Sequence, residues 1–201
     1  EIKKGRIYLN ESNAGKPDHE KTMEENPLSL LRVIDIMEQI LNTMASVHEQ
    51  KVYHRDLKPN NLMLETHSGK DHVYVVDFGI ARFREAEERG EGRTSIETIM
   101  GTYPYMSPEH FNGQAYGPES DIFSLGIIMS EMLTGQKPFG GDQGEMPTTI
   151  MNKIENHEYP YTSQLLAPPT KNFSRQIRKI LNKCLAKDPK DRYSSCGRCY
   201  C

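Results

Sequence analysis

The stretch "VYHRDLKPNNLML", residues 52–64, sets a polar centre between two short apolar ends. The ends, residues 52–53 and 62–64, are typical of strand fragments, whereas the centre suits neither a helix nor a strand. The centre collects the side chains of His54, Arg55, Asp56, Lys58, Asn60 and Asn61. Such crowding of charged and amide groups adds nothing to an apolar core, and it indicates a functional loop.

Three side chains of this loop have complementary chemistry. The Asp56 carboxylate can accept a proton from an alcohol, and the Asn61 amide oxygen can ligate a hard cation. Lys58 lies between them in the sequence and supplies a positive charge suited to an anionic group in transfer. Pro59 restricts the backbone that carries all three.

A second acid, Asp77, follows an apolar strand predicted at residues 73–76, and it precedes Gly79, which frees the backbone to turn. An acid, an amide and a lysine in one cleft predict Mg²⁺-dependent phosphoryl transfer rather than hydrolysis by paired carboxylates. Each motif alone has a simpler interpretation. An acid at a strand end often only caps a turn, and a His-Arg-Asp triplet can form a surface salt-bridge cluster.

The composition is that of an ordinary globular protein of one or two domains, with 201 residues, 26% of them charged, and a net charge of −3. This charge does not predict binding to nucleic acid or to an anionic membrane, and no apolar run is long enough to span a bilayer. No signal peptide is visible, so a cytoplasmic location is predicted. Cys196, Cys199 and Cys201 could ligate zinc, but an irregular or artificial terminus is the favoured interpretation.

The longest predicted helix covers residues 27–50. Its apolar positions recur at three- and four-residue spacing, which predicts a buried amphipathic helix. These positions are Leu31, Ile34, Met37, Leu41, Met44 and Val47.

The other predicted elements surround this helix and the polar loop. A short strand is predicted at residues 5–11, and a long polar loop at residues 83–98. The most apolar helix is predicted at residues 120–135, with Ser120 as its N-cap and Gly135 as its C-cap. Later helices are predicted at residues 148–156 and 173–185. After residue 27 the pattern predicts one helical domain with small strand pairs inserted.

Five motifs appear in a fixed order along the chain: "HRDLKPNN", "DFG", "GTYPYMSPE", "SDIFSLG" and "LAKDPKDR". In this order they resemble the eukaryotic-type serine/threonine protein kinases, over residues 5 to 195. Two positions depart from the family pattern, because Ser107 replaces the usual Ala before Pro-Glu and Phe123 replaces the commoner Trp. The resemblance implies an α+β, kinase-like fold whose large lobe is mainly helical, with short β-hairpins at the catalytic and metal-binding loops.

The resemblance assigns chemical roles to the loop. Asp56 would be the catalytic base or would orient the substrate hydroxyl. Lys58 would steady the transferring phosphate, and Asn61 and Asp77 would hold Mg²⁺. The cofactors implied are ATP and Mg²⁺, and the partner is a protein substrate with a Ser or Thr hydroxyl. Lys58 and Thr102 match serine/threonine kinases rather than tyrosine kinases.

Regulatory and structural roles are implied as well. Arg55 would pair with a phosphate on the activation loop, for which Thr98 is the first candidate and Thr94 and Ser95 are weaker ones. The structural set comprises His54 stacked on Phe78, Gly79, Asp121 bound to the catalytic-loop backbone, and Glu109 paired with Arg192.

A nucleotide-binding hinge is predicted before the first long helix. Glu11 and Asn13 would offer backbone groups to adenine, Met63 would form the floor of the adenine site, and Asn10 would occupy the gatekeeper position. A plain strand and turn is the alternative interpretation of this segment.

Two domain segments are expected: residues 1–16 as a remnant of the small lobe and hinge, and residues 17–201 as the large lobe, truncated in its last helix. The 201 residues contain no G-x-G-x-x-G phosphate-covering loop. A fragment or a truncated copy is therefore expected, with little or no kinase activity as an isolated polypeptide. The alternative function is a non-catalytic, kinase-like lobe that binds protein partners.

Overall fold

A computed structural model describes residues 3–6, 28–68, 70–78, 103–141, 145–157, 159 and 171–198 of the chain. The strands are β1 (Lys3–Arg6), β2 (Leu62–His67) and β3 (Lys70–Val75). The helices are α1 (Leu30–Glu49), α2 (Pro108–Phe111), α3 (Pro118–Thr134), α4 (Pro147–Asn156) and α5 (Lys171–Cys184). Short 3₁₀ turns lie at Pro59–Asn61, Tyr103–Tyr105, Pro189–Asp191 and Cys196–Arg198. The architecture confirms the predicted α+β class.

The three strands form one antiparallel sheet in the order β1-β2-β3. β2 and β3 are a hairpin with Leu62 opposite Val75 and His67 opposite Lys70. β1 begins two residues before the predicted strand and overlaps it at residues 5 and 6, while residues 7–11 lie outside the described part. The strand expected at residues 52–53 is wrong, because these residues lie in an irregular segment between α1 and the polar loop.

Helix α1 confirms the long predicted helix, but part of the predicted buried face is wrong. Leu31 is 80% exposed and Ile34 is 36% exposed, whereas Val33 and Ile36 are fully buried. The buried side chains are Val33, Ile36, Met37, Ile40, Leu41, Met44 and His48. Two apolar stripes with the same spacing overlap on this helix, and packing against its neighbours decides which one is buried.

Gln39 of α1 joins the helix to the hairpin. Its side-chain amide donates to the carbonyl of Asp71 at 2.9 Å and accepts from the backbone N–H of Val73 at 3.0 Å. Arg32 adds an ion pair to the Asp71 carboxylate at 2.6 Å. These bonds hold β3 against α1 and so determine where the segment after β3 begins.

Helix α3 forms the centre of the core, and every residue from Ser120 to Leu133 is buried. Gly135 ends the helix in the left-handed conformation at φ 71°, which confirms the predicted C-cap. The predicted N-cap is wrong: Gly117 precedes the first helical residue, and Ser120 lies inside the helix. The Ser120 hydroxyl donates instead to Glu109 Oε1 at 2.6 Å.

Cys196 belongs to the folded core and not to an irregular terminus. Its side chain is fully buried, and its Sγ lies 3.7 Å from Nδ1 of His48. The expectation of an irregular terminus is therefore wrong at Cys196, while Cys199 and Cys201 lie outside the described residues. In the part of the chain that the structure covers, no group of three His, Cys, Asp or Glu side chains could hold a metal ion.

We expect Gly126→Ala to destabilise the fold, because α3 and α5 approach each other at this glycine. A Cβ on residue 126 would lie 2.9 Å from Cys184 Cβ and 2.9 Å from Leu185 Cδ2. Overpacking typically costs about 1–3 kcal/mol, against a helix-propensity gain of about 1 kcal/mol. Thermal unfolding followed by circular dichroism should show a midpoint lower by roughly 3 °C, since 1 kcal/mol corresponds to about 2–4 °C in a domain of this size.

The matched control for this variant is Gly197→Ala, where an added Cβ meets no atom within 4 Å. Its midpoint should match that of the parent protein. A Gly126→Ala protein as stable as the control would contradict the close approach of the two helices.

Candidate active site

The polar loop brings the side chains of Lys58 and Asn61 together at Asp56. Lys58 Nζ lies 3.0 Å from Asp56 Oδ2, and both side chains are mostly buried. The Asn61 amide nitrogen donates to the backbone carbonyl of Asp56 at 2.7 Å and to Asp56 Oδ2 at 3.3 Å. These contacts orient the carboxylate and turn the Asn61 amide oxygen away from it.

The end of β3 brings Asp77 next to this loop. The backbone N–H of Val76 donates to the carbonyl of Asn61 at 2.9 Å, so Asp77 follows directly after a point fixed to the loop. His54 Nε2 donates to the carbonyl of Val76 at 2.9 Å, and the His54 ring lies 4.6 Å from the Phe78 ring. The loop and the segment before Asp77 are therefore held together at two backbone positions.

His54 acts in this contact as a neutral ring. Burial lowers its pKa, although the Val76 carbonyl and the carboxylates of Asp121 and Asp56 act in the opposite direction. Its Nδ1 accepts the backbone N–H of Asp56 at 3.3 Å while Nε2 donates to Val76. A single neutral tautomer satisfies both bonds, which keeps the backbone at Asp56 in register with β3.

Two residues of the site have left-handed backbone conformations. The φ angles are 68° at Arg55 and 56° at Asp77. Non-glycine residues adopt this region at a cost of about 1–3 kcal/mol, and they keep it only where the surrounding structure determines it. These two residues directly precede Asp56 in the loop and Phe78 after β3.

Asp121 is the residue that holds the loop backbone in place. It is fully buried near the start of α3, and its two oxygens accept the backbone N–H groups of His54 at 2.9 Å and Arg55 at 3.2 Å. It also accepts from His48 Nε2 at 2.8 Å and from the Tyr116 hydroxyl at 2.6 Å. Four donors on one carboxylate tie α1, α3 and the loop together.

Glu109 and Arg192 form a buried, bidentate ion pair at 2.7 and 2.9 Å. Burial opposes ionisation of Glu109, but the hydrogen bonds from Arg192 and Ser120 outweigh it, and the pKa of the carboxyl is lowered. The guanidinium also donates to the carbonyls of Ala186, Lys187 and Glu119. The pair joins the C-terminal segment to α2 and α3.

Met63 and Tyr74 face each other across the β2–β3 hairpin. They are paired in the strand register, and their side chains are 36% and 51% exposed. Met63 therefore presents an open apolar surface at the site where the floor of the adenine site is predicted. Eight other residues with predicted roles lie outside the described residues: Asn10, Glu11, Asn13, Gly79, Thr94, Ser95, Thr98 and Thr102.

Asn61 and Asp77 offer the ligand types that Mg²⁺ prefers. The Asn61 nitrogen is turned to Asp56, which leaves its oxygen side for a cation, and the Asp77 side chain is exposed. Mg²⁺ usually retains several waters and takes only one or two protein ligands besides substrate phosphates. An amide oxygen and a carboxylate on adjacent segments fit such an ion.

Sequence reasoning missed three residues of this site. His48 and Tyr116 both donate to Asp121, and Ser120 donates to Glu109. His48 occupies the helical position four after Met44 on the buried face of α1, so its spacing is a usable signal. Tyr116 lies in an irregular connection between α2 and α3, where no periodicity points to its partner.

These contacts bring the predicted residues of the polar loop and of the segment after β3 together on a mainly helical fold, and comparison with known proteins shows the family of this fold. The sequence-family model of the protein kinase domain matches residues 3–199 of this chain. The chain belongs to the protein kinase family.

Curated relatives at about one-third identity are bacterial and animal kinases. Serine/threonine-protein kinase pkn3 of Myxococcus xanthus is 33% identical over 90% of this chain and 32% of its own length. Serine/threonine-protein kinase PknB of Mycobacterium tuberculosis is 32% identical over 85% of this chain and 25% of its length. Human calcium/calmodulin-dependent protein kinase type IV is 32% identical over 88% of this chain and 35% of its length.

The chain thus spans about a quarter to a third of the length of these curated relatives. None of the helices in the described ranges combines the length and the apolar character that a bilayer crossing requires.

Proposed function

We propose that this chain carries the catalytic and metal-binding loops of an ATP-dependent serine/threonine protein kinase. The observation that carries the proposal is the Asp56 carboxylate, held by Lys58 at 3.0 Å and by the Asn61 amide at 3.3 Å. A carboxylate oriented in this way beside a cation suits the acceptance of a proton from a substrate hydroxyl during phosphoryl transfer.

In the proposed reaction a Ser or Thr hydroxyl of a protein substrate attacks the γ-phosphorus of ATP. The new O–P bond forms as the bond from the γ-phosphorus to the bridging oxygen of ADP breaks, and the hydroxyl proton passes to Asp56. Lys58 offers its ammonium to the oxygens of the transferring group. Asn61 and Asp77 would hold Mg²⁺, which when bound neutralises charge on the phosphate oxygens.

Regulation and nucleotide contacts belong to the same proposal. Arg55 would pair with a phosphate on Thr98, and Glu11 and Asn13 would bind adenine above Met63. Arg55 has the support of a constrained position, since its backbone N–H is bound to Asp121 at 3.2 Å. The roles of Thr98, Glu11 and Asn13 rest on the resemblance of their motifs alone.

The test uses the natural polypeptide that carries this sequence, with γ-labelled ATP, Mg²⁺ and casein. We expect label on Ser and Thr after acid hydrolysis, and its loss when EDTA removes the divalent cation. Asp77→Asn should raise the Mg²⁺ concentration for half-maximal rate about tenfold, as expected for the loss of a charged ligand contact of about 1.5 kcal/mol. Asp191→Asn, an exposed acid far along the chain, is the matched control.

Transfer that persists in EDTA would contradict the proposed metal role. A polypeptide that transfers no phosphate, and whose melting temperature does not rise with ATP and Mg²⁺, would contradict the catalytic function. The non-catalytic, partner-binding lobe would then be the better description.

A further inference from the structure

The connection between α2 and α3 places one aromatic residue against two parts of the catalytic loop at once. Tyr116 donates its hydroxyl to Asp121 Oδ1 at 2.6 Å. The same oxygen accepts the backbone N–H of Arg55 at 3.2 Å. The phenol therefore contacts the carboxylate that holds the loop backbone.

The ring of Tyr116 makes a second contact with the same loop residue. The guanidinium carbon of Arg55 lies 5.7 Å from the centre of the ring, which is within the range of a cation–π interaction. Arg55 thus has its backbone bound to Asp121 and its side chain placed over the residue that also binds Asp121. The left-handed backbone of Arg55, at φ 68°, needs such support.

The surroundings of Tyr116 keep the phenol in place as a neutral donor. The His110 ring meets it edge-on at 4.8 Å, and the Tyr53 ring lies 6.4 Å away. Burial, and next the adjacent Asp121 carboxylate, raise the pKa of Tyr116 well above its ordinary value. Burial lowers the pKa of His110, which leaves Arg55 as the cation beside the ring.

The connection that carries Tyr116 is held at both ends. The N–H of Gln114 donates to the carbonyl of Glu109 at 2.8 Å, and the N–H of Ser120 donates to the carbonyl of Gly117 at 3.1 Å. Glu109 in turn is fixed by its buried pair with Arg192. A side chain on such a support can transmit the position of α2 and α3 to the loop.

We propose that Tyr116 is a positioning residue for the catalytic loop, through its hydroxyl on Asp121 and its ring beneath Arg55. It acts on the backbone and side chain of Arg55, and its hydroxyl in the described structure is bonded to Asp121 and not to a group of the proposed reaction. This inference rests on the proposed kinase function only for its effect on rate, because the effect on loop structure is measurable without catalysis.

Two substitutions separate the two contacts. Tyr116→Phe removes the hydroxyl and keeps the ring, whereas Tyr116→Leu removes both. Tyr53→Phe is the matched control, because it removes a hydroxyl from the neighbouring ring that is not among the donors to Asp121 in the described structure.

The first measurement is amide hydrogen exchange of the peptide that contains residues 53–57, followed by mass spectrometry on the natural polypeptide. Tyr116→Phe should speed exchange of the His54 and Arg55 amides about tenfold. A tenfold change corresponds to about 1.5 kcal/mol, which is typical for the loss of a hydrogen bond to a charged group. Tyr116→Leu should speed it further, while α3 and the Tyr53→Phe protein should exchange as the parent does.

The second measurement is steady-state kinetics with ATP and a protein substrate. Tyr116→Phe should lower kcat about three- to tenfold and leave KM for ATP within about twofold, because only the placement of the loop changes. If Tyr116 only stabilised the fold, its substitution would instead lower the fraction of folded enzyme and speed amide exchange throughout the protein.

Three outcomes would overturn the inference. If the loop amides of both Tyr116 variants exchange as fast as those of the parent protein, Tyr116 does not hold the loop. Equal acceleration in the loop and across α3 would show an effect on global stability alone. If the loop amides exchange no faster in Tyr116→Leu than in Tyr116→Phe, the contact of the ring with Arg55 does not help to hold the loop. An inactive parent protein with the expected exchange pattern would contradict the proposed function and support the positioning role.

Discussion

Asp56→Asn should lower the rate of phosphate transfer by a factor of about 10²–10⁴ without unfolding the protein, as is typical for the loss of a general base. The amide keeps the shape of the carboxylate, so contacts with Lys58 and Asn61 change little in geometry. It has no basic oxygen for the substrate proton. The measurement is kcat with ATP and a protein substrate, together with the melting temperature.

Asp35→Asn on the exposed face of α1 is the matched control, because it also removes one negative charge. Its rate should equal that of the parent protein. An Asp56→Asn protein that retains more than about a tenth of the parent rate would contradict the role of Asp56 as base. An equal loss of rate in both variants would point to net charge rather than to the site.

Arg192→Met should destabilise the fold by about 3–5 kcal/mol, because it leaves Glu109 buried without its cation. The guanidinium also donates to three backbone carbonyls and lies 4.8 Å from the centre of the Phe123 ring. In a domain of this size the loss corresponds to a melting temperature lower by roughly 10 °C or more. Thermal or urea unfolding measures it directly.

The control uses the same substitution at an ion pair whose arginine is exposed. The Arg32 side chain is 42% exposed and pairs with Asp71, so Arg32→Met should cost no more than about 1 kcal/mol. The double variant Glu109→Met/Arg192→Met should recover part of the loss, because it removes the stranded charge as well. Equal destabilisation in the two single variants would contradict the buried pair as a source of stability.

Periodicity and local chemistry predicted much of this fold. The helices at residues 148–156 and 173–185 are confirmed as α4 and α5 within two residues, and the predicted strand at residues 73–76 is confirmed as the end of β3, offset by one residue. These elements have local signals, since apolar spacing and capping residues act within a few positions of the chain. The neighbourhood of Asp56, Lys58 and Asn61 was predictable for the same reason, because a short loop keeps its residues close.

Contacts between distant segments were less predictable. Serine is a residue type favoured at N-caps, yet the Ser120 hydroxyl donates to Glu109 inside the core. Leu31 fits an apolar stripe of α1, but its side chain is exposed. In both cases a local preference competes with packing against another helix, and packing prevails. Asp121 likewise collects donors from residues as far away as His48, which no spacing rule describes.

By itself the sequence determined which polar side chains this protein places together: an acid, a lysine and an amide on one loop, and a second acid after a strand. It also predicted α1, α3, α4 and α5, because a helix depends on neighbours along the chain, whereas the strand expected at residues 52–53 did not form. Only the tertiary structure decided which stripe of α1 is buried, that His48 and Tyr116 also donate to Asp121, and that Tyr116 supports Arg55. Those features arise from contacts between remote segments, whose geometry depends on how the whole core packs.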